Sequence, residues 1–167
     1  LGLDQPMHIQ LWRYLIDLTQ GNFGNSLYTL RPISDDLSSR LPATLELTFM
    51  SVLVSAALGI PLGVISAVRL NSPLDHFLRI FTVSGLAIAS FWFAILLQLL
   101  FAMDLGWTPL QGRSSGWGPE HITGFFVIDS LLTWNMEELR LSLSHMILPV
   151  MTLAYPAMAT IVRFTRA

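Results

Sequence analysis

The side chains that could do chemistry in this chain are few and poorly arranged for it. His8, His76, His121 and His145 are scattered, with none of the short spacings that gather imidazoles around one metal ion. Ser144 precedes His145, but adjacency in sequence is not the geometry of a nucleophile and its base. No H-E-x-x-H, G-x-S-x-G, G-x-x-x-x-G-K or paired aspartates in an apolar run occur, so metalloprotease, serine hydrolase, ATPase and aspartyl chemistry lack their signatures. There is no Cys, which removes thiolate, zinc-thiolate and disulfide chemistry. The sequence therefore offers no catalytic residue, no metal site and no cofactor site. What remains is a polar group in apolar surroundings: Gln98 lies within an uncharged run, where an amide either bonds to a neighbouring helix or faces a path for a solute.

The elements that must position such a group are long apolar helices. With 53% hydrophobic residues, 12% charged residues and mean hydropathy +0.59, the 167-residue chain is too apolar for an ordinary soluble domain and reads as an all-α membrane protein. Its net charge of −2 gives no nucleic-acid footprint. Leu47 to Val68 is uncharged over twenty-two residues. At about 1.5 Å per residue it is about 33 Å of helix, enough for a hydrocarbon layer of about 30 Å. Its eleven Leu, Ile, Val and Phe residues favour insertion by about 5 kcal/mol before polar costs. Ser51, Ser55, Gly59, Gly63 and Ala67 recur every fourth position, a stripe of small residues that lets another helix approach closely. Pro61 leaves the Ala57 carbonyl without its helical donor, so a kink is expected there.

Taken in order, residues 1–46 read as a polar segment with amphipathic pieces. Ile9, Trp12 and Ile16 recur at helical spacing after Asp4-Gln5-Pro6, residues 21–26 form a turn cluster, and a short helix is expected from Ser34 until Pro42 begins the approach to the first span. Spans follow at 47–68, 80–103 and 146–164, separated by a short loop at 69–79 and a Gly- and Pro-rich excursion at 104–145. Phe125 to Leu132 is too short to cross a membrane and is expected to lie at the surface or fold back against the bundle. Trp107, Trp117 and Trp134 suit the headgroup level. Pro149 and Pro156 are seven apart, placing two breaks on about one face of the third span, where Thr152 and Thr160 are expected to satisfy some of the freed backbone groups.

Arginine placement sets the orientation. Arg69, Arg79, Arg163 and Arg166 crowd into the short loop and the tail, whereas the long segments hold ten of the eleven acids. The positive-inside rule puts the loop and residues 165–167 in the cytoplasm and Leu1 in the periplasm. With no basic and apolar leader to export Leu1, a further helix is expected before it, and the chain is expected to be a fragment.

Arg40-Leu41-Pro42-Ala43-Thr44-Leu45-Glu46-Leu47, with Gly59-Ile60-Pro61-Leu62-Gly63-Val64 behind it, resembles the permease subunit of dipeptide/oligopeptide/nickel-type ABC importers. Residues 21–26, Arg31-Pro32, Ser90-Phe91-Trp92, residues 105–109, Gly112-Arg113, Thr123-Gly124-Phe125, residues 129–132, residues 145–149 and residues 163–167 agree in the same order. The resemblance covers nearly the whole chain. It implies a six-helix permease of a type I importer, of which this stretch supplies the second to fourth spans. It also implies a bacterial inner-membrane location, a second homologous permease subunit, two ATP-binding subunits that hydrolyse the ATP, and a periplasmic solute-binding protein. The translocation path is then expected near Ser90, Gln98, Thr152 and Tyr155, with Arg163 and Arg166 close to the cytoplasmic coupling region. At position 89 the family often has Pro where this chain has Ala89, which weakens the expectation of a kink. A small structural or assembly membrane protein without transport would carry the same spans and small-residue faces.

Overall fold

The structure, a computed structural model, describes residues 6–113 and 122–167. Asp4 and Gln5 of the expected helix start, and Trp117 and His121, lie outside these. Among the described residues the fold is helical, with one isolated antiparallel bridge between Asn25 and Pro32 and no strand. The chain divides into two compact units, one ending at Pro42 and the other running from Ala43 to Ala167.

In the first unit, α1 (Met7–Thr19) begins directly after Pro6, whose fixed φ suits a helix entry, and buries none of its residues. The turn cluster closes on itself. Gly24 adopts a φ of 76°, open to glycine without strain, and its carbonyl accepts the Ile33 N–H at 2.9 Å. Asp35 and Asp36 stand in the first turn of α2 (Ile33–Val68), where carboxylates meet the positive end of the helix dipole. The short helix expected from Ser34 is not separate from the span that follows: α2 runs through Pro42 and Pro61. One proline deletes one ladder bond, here the one to Ser38 or Ala57, and the flanking bonds carry the helix across.

In the second unit, α2 buries Ser51, Ser55, Gly59, Gly63 and Ser66, while Ala67 is half-buried. A methyl group on Gly59 would stand 3.0 Å from Ile161 Cγ2, and one on Gly63 would stand 2.5 Å from Thr165 Cβ. The two glycines thus admit α6 (Met136–Arg166) to van der Waals contact with the α2 backbone. At the other end of the turn after α2, α3 (Pro73–Ala87) is capped by Ser72, which accepts the Asp75 N–H at 3.2 Å, with Pro73 in the first turn.

The run 80–103, read from sequence as one span, is broken. Ile88 and Ala89 are extended, and α4 (Ser90–Leu97) leaves α3 at 107° before continuing as a π-helical turn over Gln98–Asp104. No proline makes this bend. Tyr155 of α6 clasps it: its hydroxyl donates to Phe81 O at 3.0 Å and lies 2.6 Å from Ser84 Oγ, and its ring meets Phe81 and Phe93 at centroid distances of 4.9 and 5.0 Å. Gly85 lets Ala159 and Tyr155 close on α3. α2 and α6 are each long and apolar enough to cross a membrane, and the bent α3–α4 pair makes a third crossing if it counts as one span.

α6 begins earlier than its apolar residues. Asn135 caps α6 by accepting the Glu138 N–H at 3.2 Å, and the helix carries Glu137 and Glu138 in its first turn and Arg163 and Arg166 in its last, all favourable to the dipole. α5 (Phe126–Leu132) folds back against α6.

Gly63→Leu is expected to force α2 and α6 apart and to cost about 1–3 kcal/mol. Thermal unfolding in detergent measures it, with Val64→Leu, on the exposed face, as the control expected to change little.

Candidate functional site

Two adjoining hollows form where α2, α6 and the 109–113 loop meet. One, of about 260 Å³, is lined by Glu46, Arg113, Phe126 and Ser142; the other, of about 420 Å³, by Gln98, Leu110, Gln111 and Thr152. They share Leu47, Gly112, His145 and Pro149.

The smaller hollow is built on a buried carboxylate. Glu46, 6% exposed, accepts the Val127 N–H at 2.6 Å, the Phe126 N–H at 3.3 Å and Arg113 Nη2 at 2.9 Å. It therefore answers backbone donors that the first turn of α5 cannot bond to its own helix. Arg113 also donates to Gly124 O at 3.3 Å and lays its guanidinium 3.8 Å from the centre of the Phe126 ring. Asp129 ties the preceding loop down by accepting the Thr123 hydroxyl at 2.6 Å, the Thr123 N–H at 2.9 Å and the Gly124 N–H at 3.0 Å. Burial pushes the Asp129 carboxyl up, but these donors outweigh it and hold the group below its ordinary value.

The larger hollow depends on α6. Pro149 has no N–H for the His145 carbonyl, and Pro156 has none for that of Thr152. The expectation that Thr152 and Thr160 satisfy freed groups meets a different arrangement: their hydroxyls bond to Leu148 O at 2.8 Å and Pro156 O at 3.0 Å. A helical Thr reaches back to the carbonyl four residues before it, which here is not a freed one. His145 and Pro149 line both hollows. His145 Nδ1 lies 2.8 Å from Leu141 O, a pure acceptor, so Nδ1 carries a proton. Ser142, 1% exposed, has no hydrogen-bond partner for its hydroxyl among the described residues.

Of the path residues expected from sequence, Gln98 and Thr152 come together on the larger hollow. Gln98 Nε2 donates to Leu110 O at 2.7 Å, so the amide holds the loop instead of a neighbouring helix. Ser90 is exposed at the start of α4, and Tyr155 serves the α3–α4 bend; neither lines the hollows. Of the two arginines expected near a coupling region, Arg163 is exposed and faces the Phe164 ring at 5.5 Å. Arg166 donates through Nε and Nη2 to Asp75 at 2.8 and 3.0 Å. Asp75 is fully buried and also accepts Ser66 Oγ at 2.6 Å, the Asn71 N–H at 3.1 Å and Arg79 Nη2 at 3.3 Å.

Residues 59–167 match the family described as binding-protein-dependent transport system inner membrane component. The chain belongs to that family. Its similarity to curated relatives runs its full length and points the same way. It is 41% identical over 169 residues to the probable D,D-dipeptide transport system permease protein DdpB of Escherichia coli (strain K12), and 36% identical over 168 residues to the di/tripeptide transport system permease protein DppB of Pseudomonas aeruginosa (strain UCBPP-PA14). It is 34% identical over 167 residues to the glutathione transport system permease protein GsiC of Salmonella paratyphi A (strain ATCC 9150 / SARB42). In each case all of this chain aligns, with 50%, 50% and 46% of the relative, so the chain spans about half the length of the curated relatives it matches. As a member of this inner-membrane family with apolar helices of spanning length, it is a multi-pass inner-membrane protein.

Glu46→Gln is expected to leave Arg113 without its charge partner and to weaken the α5 entry, at about 2 kcal/mol given that Arg113 is partly exposed. Faster hydrogen exchange at the Phe126 and Val127 amides is the readout. A second expectation follows from Asp129. Because its folded value is lowered, the stability it confers is complete above the ordinary carboxylate range and is lost as pH falls through that lowered value. Amide protection at residues 123 and 124 should hold between about pH 7 and 5 and fade only on stronger acidification. Asp129→Asn should remove that pH dependence.

Proposed function

We propose that this chain is part of the transmembrane permease subunit of an ATP-driven, binding-protein-dependent importer of peptides or related small solutes. The observation that carries the reading is the family match across residues 59–167, which includes α6 and the bent α3–α4 pair around the hollows. The subunit catalyses nothing itself. Two ATP-binding subunits hydrolyse ATP, a second homologous permease completes the path, and a periplasmic solute-binding protein delivers cargo. The peptide permeases among its relatives support this cargo class. The hollow lined by Gln98 and Thr152 is this subunit's share of the path, with helices tilting between two access states around it.

Residues 1–46 and 104–145 face the periplasm in this reading, and 69–79 and 165–167 the cytoplasm. The Asp75–Arg166 pair supports it, because it puts the α2–α3 corner and the last turn of α6 at one end of the bundle. The absence of cysteine makes a direct check simple. Leu70→Cys should react with a membrane-impermeant maleimide only after the inner membrane is opened, and labelling in intact spheroplasts would reverse the orientation. For transport, the full-length polypeptide with its ATP-binding subunits in proteoliposomes should accumulate labelled dipeptide only with ATP and loaded binding protein. Equal accumulation without this polypeptide would sink the reading.

A further inference from the structure

Turn tips ordinarily expose Gly, Asn, Asp or Ser. The loop closed by the Asn25–Pro32 bridge exposes Leu27, Tyr28 and Leu30 instead, at 98%, 96% and 83% of their full surface. Leu27 and Tyr28 are the two most exposed large apolar side chains among the described residues. The backbone beneath them is tied down. The Ser26 N–H donates to Arg31 O at 2.9 Å and the Leu30 N–H to Ser26 O at 3.0 Å, while Ser26 Oγ accepts the Tyr28 and Thr29 N–H groups at 3.3 and 3.2 Å. The Thr29 hydroxyl donates to Asp36 Oδ2 at 2.7 Å, which fastens the loop to the first turn of α2. Leu30 holds φ at 55°, a conformation that Gly or Asn takes with less strain. A leucine there keeps an apolar side chain on the surface against its backbone preference, a combination that clusters at recognition sites.

Acyl chains do not reach this knob. Residues 33–46, all within α2, separate it from Leu47, where the uncharged run begins, and they carry Asp35, Asp36, Arg40 and Glu46. At about 1.5 Å per residue they make about 20 Å of helix, against about 5–8 Å of headgroup layer on each face of a bilayer. The cover for these side chains therefore comes from a soluble partner. Arg31, exposed at the base of the loop and in no ion pair among the described residues, calls for an acidic group on that partner. We infer that this loop is the knob gripped by the loaded periplasmic solute-binding protein, with Tyr28 seated in an apolar pocket, Leu27 and Leu30 closing its rim against water, and Arg31 facing an acid. The inference rests on the permease reading and its orientation, and adds to them the surface at which delivery takes place. A tyrosine presented by a loop that is already fixed loses little freedom on binding, so its burial goes into affinity.

The test uses the assembled full-length complex in nanodiscs and its purified binding protein loaded with dialanine. Tyr28→Ala should weaken their binding about tenfold and Arg31→Glu about threefold. Ser26→Ala, which keeps the apolar side chains and frees the backbone beneath them, should weaken it about threefold. In proteoliposomes the same variants should raise the half-saturating concentration of binding protein and leave the maximal uptake rate unchanged, which a folding defect would not do. Leu27→Cys carrying a benzophenone, in a polypeptide otherwise free of cysteine, should cross-link to the binding protein on illumination. Cross-linking to lipid or to the second permease subunit instead, or a Tyr28→Ala complex of unchanged affinity, overturns the inference. Uptake that requires binding protein but ignores all three substitutions removes this surface and leaves the permease reading standing. A wild-type complex whose uptake ignores binding protein removes the permease reading, and the inference with it.

Discussion

Hydrocarbon supplies no water, so a peptide group within it must find its hydrogen bond inside the protein, and the arrangement of this chain follows from that requirement. The long helices meet it with their own ladders, and serines and threonines turn their hydroxyls back on the same ladders, as Ser51 does to Leu47 O and Thr48 to Thr44 O. Where a ladder ends inside the second unit, another element answers. Glu46 receives the first turn of α5, and Asp129 gathers the Thr123 and Gly124 amides. Pro149, which removes one ladder donor from α6, lines both hollows with His145.

With the backbone satisfied, packing falls to residues small enough to let helices touch. Gly59 and Gly63 seat α6 on α2, and Gly85 seats it on α3. α6 is the common neighbour of α3, α4 and α5. Its Tyr155 packs across the bend, its hydroxyl bonding to Phe81 O and Ser84 Oγ of α3 and its ring meeting Phe93 of α4. A bend held by a tyrosine from another helix is a tertiary device, which is why no proline is needed at position 89.

Much of this was legible beforehand because it is periodic. Uncharged runs of spanning length, and a small residue at every fourth position, are local patterns that survive folding. The caps were less so: Asn135 extends α6 well before its apolar stretch, and Pro42 does not interrupt α2. The 107° bend left no mark at Ile88 and Ala89 themselves, and the side chain that packs across it, Tyr155, lies 66 or more residues away. The site behaved similarly. Gln98 and Thr152 were visible as polar residues in apolar surroundings, whereas Glu46, Arg113 and His145 read as ordinary members of polar segments until folding placed them on adjoining walls. A single acid among apolar neighbours, as in Leu45-Glu46-Leu47, was the available hint.

Asp75 joins more of the molecule than any pairwise contact does. Its two oxygens are shared among Ser66 of α2, the Asn71 amide in the corner, Arg79 of α3 and Arg166 of α6, and the carboxylate is wholly enclosed. An enclosed anion cannot be abandoned by one partner without the others absorbing its charge. Mechanically the junction is a rivet: traction on the final turn of α6 is delivered to the α2–α3 corner in the same stroke, so three rods swing together instead of sliding past one another.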